Sequence, residues 1–319
     1  MKVFMGADRW MMGLLQRPTL SRSNYFVVLA LILIFSGALI IRVYPAKYGF
    51  YLNEYDPYYN YYATMFIVQN AERHGLGVIL SDDPSVNYFL WRDYKTWYPE
   101  GRAVAASSQS GLHFAGALLY LLSKHIFGLN TSLYDFLVLF PVFLGALTTL
   151  VVYLLVKRFA GTIGGLFAAL MVAFSPPMIV RGNLGWFKSE PFAIFLALLA
   201  TYLLLSAIDS KALSLSFVLR ALAAGLLLGY SHTAWGGAQF FSLVLGIFLI
   251  LVPFLNVNLE RAAYLSAILV PSTILVSSSF PRPGVKFVTS PIGLLFLGGL
   301  FFVAIALIIK RITTPKNYI

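Results

Sequence analysis

The sequence predicts an all-α, polytopic membrane protein, and three observations predict it. Hydrophobic residues make up 59% of the 319 and charged residues only 11%, with a mean hydropathy of +0.80, so a soluble globule would turn far too much hydrocarbon to water. Nine apolar runs are long enough to be weighed as spans: 25–42, 110–128, 133–156, 161–180, 191–208, 213–231, 236–255, 262–279 and 291–309. The charges between them are sorted by sign. There is no cysteine, which excludes disulfides, thiolate metal sites and cysteine nucleophiles. The formal charge of +11 takes its meaning from the loops that carry it, and no nucleic-acid partner is expected.

Residues 1–24 form an N-terminal segment, read as cytoplasmic. The apolar run from Tyr25 to Ile41 is followed by Arg-Val-Tyr-Pro without a small-residue cleavage site, so 25–42 is a first span and not a signal peptide. If all nine runs crossed the bilayer, Lys157-Arg158, Lys211 and Arg261 would fall outside, against the positive-inside rule. The run 110–128 carries His113, Lys124 and His125 and is the most polar; a re-entrant or interfacial helix there restores the rule. Eight spans remain, the first followed by a large external loop, 43–132, and seven more filling 133–309. Lys2, Arg9, Arg17, Arg22, Lys157, Arg158, Lys211, Lys310, Arg311 and Lys316 then lie on the cytoplasmic side, the last three in a tail 310–319. Loops 43–132, 181–190 and 280–290 share the outer face. Seven of the twelve acids lie between Glu54 and Glu100, so the acidic chemistry is expected outside.

Two acidic segments stand out. "EYDPYYN" supplies Glu54 and Asp56, and "RGNLGWFKSEP" supplies Glu190. Carboxylates from different loops, each held at the membrane surface by a helix end, could converge on one divalent cation, and oxygen donors suit Mg²⁺ or Mn²⁺. Asp56-Pro57 and Ser189-Glu190-Pro191 read equally well as helix starts with the acid or serine as cap. The two roles are compatible, because a capping carboxylate keeps spare lone pairs. The six tyrosines from Tyr51 through Tyr62 suit an interfacial aromatic belt.

Four separated motifs then match one family. "EYDPYYNYYAT" resembles the first-loop signature E-[FY]-D-P-[WFY]-[FY]-N-Y-x-A-T of the catalytic subunit of oligosaccharyltransferase, and "TWYPEGR" at 96–102 resembles its W-Y-P-x-G-R element. The segment Arg181–Glu190 is similar to its second acidic loop, R-x-x-x-G-x-[FY]-D-x-[DE], and "AWGGAQF" at 234–240 to its A-W-G-G-Y-x-F element. They occur in the family's order over about 190 residues. The resemblance implies a GT-C-type transmembrane fold and a metal-dependent transfer of a preassembled glycan from a dolichyl phosphate or pyrophosphate carrier to the asparagine of Asn-x-Ser/Thr. Expected partners are the dolichyl-linked oligosaccharide, the acceptor polypeptide and membrane lipids.

By the same resemblance Asp56 and Glu190 are the catalytic carboxylates and the ligands of Mn²⁺ or Mg²⁺, with Arg181, Lys188 and Arg102 binding substrate. Arg181 could equally be a snorkelling interfacial arginine. Lys188 departs from the pattern: the family has an acid or another ligand there, and an ammonium cannot bind a metal. Either Lys188 contacts phosphate as a point charge, or the site is built differently. Asp93 and Arg102 are expected to knit the first loop together, and Trp235-Gly236-Gly237 to allow close helix approach. The family's further spans, further acidic loop and C-terminal W-W-D-Y-G domain do not occur here, so the chain is expected to be an N-terminal part, inactive alone. The Asn-Tyr-Tyr-Ala form of the first motif favours an archaeal plasma-membrane enzyme with an outward-facing site over an endoplasmic-reticulum one with a lumenal site. Other readings are a different lipid-phosphate-sugar transferase of the same fold, or a non-catalytic protein that binds or transports lipid-linked glycans.

Overall fold

The structure is a computed structural model that describes residues 22–255 and 257–313; Lys2, Arg9, Arg17 and Lys316 lie outside the described residues. The chain opens with α1 (Arg22–Val43), whose stretch from Tyr25 to Ile41 has no charged side chain to oppose immersion in lipid. The region 43–132 is far from irregular: it contains α2 (Tyr55–His74) and α3 (Ser110–His125). Between them a short antiparallel pair, β1 (Arg92–Asp93) and β2 (Arg102–Ala103), sets Arg92 opposite Ala103 and Asp93 opposite Arg102. At 16 residues, α3 is about 24 Å long, short of a bilayer core of about 30 Å. It packs against α2 and buries Leu112, His113, Ala115 and Tyr120.

Next comes α4 (Leu133–Phe174), 42 residues. Unbroken, it would run about 63 Å, twice a bilayer core. It is broken at Gly161, where φ 67° and ψ −174° belong to a region only glycine enters readily. A Cβ placed on Gly165 would lie 2.9 Å from the carbonyl oxygen of Tyr153, a contact that requires the chain to double back. The runs read as 133–156 and 161–180 are therefore two arms of a hairpin, the second prolonged by α5 (Pro176–Arg181). The bundle continues with α6 (Ser189–Ile208), α7 (Leu215–Ala234), α8 (Gln239–Leu251), α9 (Leu259–Ser278) and α10 (Pro291–Thr313). Among the described residues seven helices are long and apolar enough to cross a membrane. With α4 counted as its two arms, there are eight apolar arms.

The helices pair α1 with α4, α6 with α7, α7 with α9, and α8 with α10. Small residues permit this closeness: Ala197, Ala200 and Ala207 meet Phe217, Ala221, Ala224 and Leu228 in one core cluster. The outer surfaces stay apolar, as at Phe26, Ile163 and Ile312.

The two ends of the bundle differ in charge. At one, Lys157, Arg158, Lys211, Arg220, Arg261, Lys310 and Arg311 stand against Asp209 and Glu260. Three of these arginines cap the carbonyl end of α6: Arg158 donates to Leu205 O at 2.8 Å, Arg220 to Ser206 O at 2.9 Å and Arg261 to Ile208 O at 2.6 Å, where the helix dipole favours cations. The opposite end carries the first loop, residues 182–190 and the junction of α7 with α8.

A buried arginine ties the first span to the hairpin. Arg42 is fully buried and has no carboxylate partner among the described residues. It donates to the carbonyls of Ala38 at 3.1 Å, Ala173 at 2.9 Å, Val172 at 3.4 Å and Met178 at 3.3 Å, so its charge is met by the negative end of the second arm of α4.

Candidate functional site

Two loops distant in sequence are clamped together at the first-loop end of the bundle. Asn53 N donates to Gly185 O at 3.0 Å, and the Asn53 side chain donates to Leu184 O at 2.5 Å. Gly185 has φ +77°, and a Cβ there would lie 2.0 Å from the carbonyl oxygen of Tyr51. Only glycine lets the two backbones approach this closely. Leu184 N donates to Arg42 O at 3.0 Å, Gly185 N to Val138 O at 2.9 Å, and Leu52 N to the Tyr134 hydroxyl at 3.1 Å. The clamp therefore rests on the end of α1 and the start of α4.

From this clamp α2 and α6 start side by side. The helices begin at Tyr55 and Ser189, so the cap positions are Glu54 and Lys188, without a side-chain capping bond. Asp56 and Glu190 sit in the first turns, each followed by its proline. This corrects the expected cap at Asp56 or Ser189: the favourable feature is a carboxylate near the positive end of each helix dipole. Glu54 adopts φ 67°, rare for a residue with a side chain, and its carboxylate reaches the second loop.

A cavity of about 370 Å³ opens between them, lined in part by Asp56, Asn60, Arg102, Lys188, Glu190 and Trp235. Each of the four motifs contributes a wall. Lys188 Nζ lies 2.6 Å from Glu54 Oε2 and 3.1 Å from Asp56 Oδ2. Burial by itself would lower the ammonium's pKa, but bonds to the two carboxylates outweigh it and hold it above the ordinary lysine value. Arg181 stands at the rim, its Nη1 3.0 Å from Glu190 Oε1 and its guanidinium 5.2 Å from the Trp186 ring centre. Arg102 lies between Tyr59 and Trp97, 4.3 and 5.1 Å from the ring centres, and donates to Ser107 and Ser108. It has no salt bridge to Asp93, which accepts from Thr96 Oγ1 at 2.8 Å and Lys95 N at 3.0 Å; the two knit the loop through separate contacts.

Sequence reasoning missed the support behind the cavity. Asn60, one turn after Asp56, donates to Phe187 O at 2.9 Å and faces His113 Nε2 at 3.0 Å; His113 Nδ1 in turn lies 2.6 Å from the Tyr88 hydroxyl. Asn60 spends its N–H on Phe187, so His113 Nε2 donates to Asn60 Oδ1 and Nδ1 accepts from Tyr88. Burial first, and then the charge of Arg102, push the His113 pKa down to about 3. The i to i+4 spacing of Asp56 and Asn60 was the available signal, since it puts both on one helix face. The tyrosines divide: Tyr51, Tyr55 and Tyr58 are exposed, whereas Tyr59, Tyr61 and Tyr62 are half-buried. Tyr62 packs edge-on to Trp91, which stacks on Phe66 at 4.1 Å.

Residues 25–316 match the family described as "Oligosaccharyl transferase STT3, N-terminal". Among curated proteins, the STT3B subunit of the dolichyl-diphosphooligosaccharide–protein glycosyltransferase of Oryza sativa subsp. japonica is 32% identical over 226 residues, covering 70% of this chain and 29% of its own. The STT3 subunit of Saccharomyces cerevisiae is 28% identical over 222 residues, covering 69% of this chain and 28% of its own. The chain thus spans less than a third of the length of these relatives. Among solved structures, the oligosaccharyltransferase AglB of Archaeoglobus fulgidus, in complex with an inhibitory peptide and a dolichol-phosphate, superposes with a TM-score of 0.68 at 18% identity, covering 91% of this chain and 34% of its own. Its apo form gives 0.69 at 20%, covering 90% and 34%. The shared fold is the GT-C-type transmembrane fold. The chain belongs to the STT3 oligosaccharyl transferase family and matches the N-terminal membrane part of its catalytic subunits.

Proposed function

We propose that the cavity is the membrane-side part of a site that transfers an oligosaccharide from a dolichyl phosphate or pyrophosphate carrier to the side-chain amide of Asn in Asn-x-Ser/Thr. The observation that supports this reading is convergence: Asp56, Arg102, Glu190 and Trp235, from four motifs spread along the chain, wall one cavity. An Archaeoglobus fulgidus relative has been solved tethered to an acceptor peptide containing an NVT sequon, which supports a peptide acceptor here.

The chemistry asks for such a set. The asparagine nitrogen is a poor nucleophile because its lone pair is conjugated with the carbonyl, the resonance that gives amides a rotation barrier of about 18–20 kcal/mol. Asp56, in the first turn of α2 and facing the cavity, accepts hydrogen bonds from the amide protons and polarises that conjugation. Glu190 holds Arg181 at the rim. Arg102, Lys188 and Arg181 meet the charge that grows on the departing phosphate. The site faces outward or lumenally, in an archaeal plasma membrane or, alternatively, the endoplasmic reticulum; the basic end of the bundle lies in the cytoplasm.

The cofactor this reading implies is Mn²⁺ or Mg²⁺, with Asp56 and Glu190 as ligands; an Archaeoglobus fulgidus relative was solved with Zn and sulfate. The donor set, as folded, does not fit a divalent ion. Lys188 holds Asp56 and Glu54, Arg181 holds Glu190, and no group of three His, Cys, Asp or Glu suited to a metal occurs among the described residues. The steps above use only the chain's own residues.

The test is transfer from a dolichyl-linked donor to a fluorescent Asn-Val-Thr peptide by membranes expressing the gene's full reading frame. Asp56→Asn keeps the size and removes the charge of a carboxylate whose side chain is 75% exposed, so folding is spared. Transfer should fall by about 100-fold or more. Retention within a few-fold would overturn the role of Asp56, and no transfer by the unaltered protein would overturn the reading.

A further inference from the structure

The chemistry of Lys188 runs against the expected divalent ion, and its surroundings are those of a built cation seat. Its Nζ is bracketed by Glu54 Oε2 at 2.6 Å and Asp56 Oδ2 at 3.1 Å. The Trp186 ring centre lies 4.7 Å away, and the side chain is only 12% exposed. Nothing about this is the free swing of a surface lysine. Lys188 follows the clamp that locks residues 184–185 to 53 and stands at the cap position of α6, so its Cα is fixed opposite Glu54. Glu54 in turn reaches it from a left-handed backbone conformation.

We propose that the Lys188 ammonium is the resident counter-cation of Asp56, standing in this site where a divalent ion would otherwise sit, and that the chain holds its phosphate-bearing ligand without such an ion. A divalent cation needs oxygens at about 2.0–2.6 Å. One bound to Asp56 would bring two positive charges within a few ångströms of the ammonium, which has no lone pair to offer it. Arg181 repeats the pattern at Glu190. An ammonium with two of its three N–H donors on Glu54 and Asp56 keeps one for a phosphate oxygen in the cavity.

The inference rests on the proposed role of the cavity, but its test reads no transfer, so the two can fail separately. The 319-residue chain in lipid nanodiscs is titrated with Mn²⁺, and bound ion is read as loss of the free-ion electron paramagnetic resonance signal. The quantity compared is Asp56-dependent binding, the difference from Asp56→Asn. The unaltered chain should show none, and Lys188→Asp should gain one equivalent of bound Mn²⁺. Lys188→Ala, which adds no ligand, should show a smaller gain. Saturable, Asp56-dependent Mn²⁺ binding by the unaltered chain would overturn the proposal. So would absence of any gain in both Lys188 variants, because the ammonium would then not be what excludes the ion.

Discussion

Replacing Gly185 with alanine tests whether the clamp between the acidic loops is what assembles the site. The new Cβ would stand 2.0 Å from Tyr51 O and 3.0 Å from Leu52 Cα, both backbone atoms. Moving Tyr51 O out to a tolerable 3.0 Å means a retreat of about 1 Å, which stretches the Asn53 N to Gly185 O bond from 3.0 Å beyond hydrogen-bonding range. The left-handed conformation at φ +77° costs alanine about 1–2 kcal/mol, and the lost bond about 1 kcal/mol. Together with imperfect repacking the sum is about 3 kcal/mol. Gly128→Ala isolates the clash, because Gly128 also has positive φ, +63°, with nothing within 4 Å; it should cost only about 1 kcal/mol. Denaturant unfolding in nanodiscs, followed by tryptophan fluorescence, measures both. In the Gly185 variant Lys188 should also react faster with an amine-acetylating reagent, read by mass spectrometry, because its bracket has opened. If Gly185→Ala costs no more than Gly128→Ala, or Lys188 stays as protected as before, the clamp does not hold the site together.

Two further outcomes follow from the buried polar groups. The His113 pKa is pushed below its unfolded value of 6.5 to about 3, so the unfolded chain takes up the proton first. Stability should therefore fall as pH drops below about 6.5, by up to ~1.4 kcal/mol per pH unit. In His113→Gln the dependence should be shallower by one proton, and an unchanged slope in proton-coupled unfolding would refute the assignment. Arg42→Met should destabilise the fold by about 3 kcal/mol or more, since the Val172 and Ala173 carbonyls, whose i+4 positions are Pro176 and Pro177 without an N–H, lose the donor that satisfies them. A unfolding free energy unchanged by that substitution would mean that water satisfies them instead.

The membrane helices were legible because apolar runs and basic loop ends carry one message: hydrocarbon demands the first and the potential and anionic surface favour the second. Even the reversal at Gly161 was implied by Lys157-Arg158, which cannot sit in mid-bilayer. The start of α2 was legible at Asp56-Pro57 but its extent was not, since its buried face is made of Pro57, Ala63, Thr64, Ile67, Val68 and Asn70, too mixed to stand out from a polar loop. The cap readings failed by two residues at α2 and by one at α6, because Glu54 and Lys188, and not Asp56 and Ser189, occupy the cap positions. The meeting of Asp56 with Glu190 in one cavity was foreseen from motif order and topology. The pairing of Glu54 with Lys188 and of Glu190 with Arg181 depends on side-chain reach across 134 and 9 residues, which no local pattern encodes. Arg42 read as the polar end of a first span; its burial follows from the approach of α5, a tertiary fact.

The absence of cysteine gives a direct test of the central claim, that the two acidic loops face each other across one cavity. Paired substitutions Asp56→Cys with Glu190→Cys, made in the 319-residue chain in intact membranes, are treated with a short bifunctional thiol reagent, and the linked peptides are counted by mass spectrometry. Efficient intramolecular linkage is predicted for this pair and none for Asp56→Cys with Asp209→Cys, which lies at the basic end of the bundle. No linkage for the first pair, or equal linkage for both, would contradict the account.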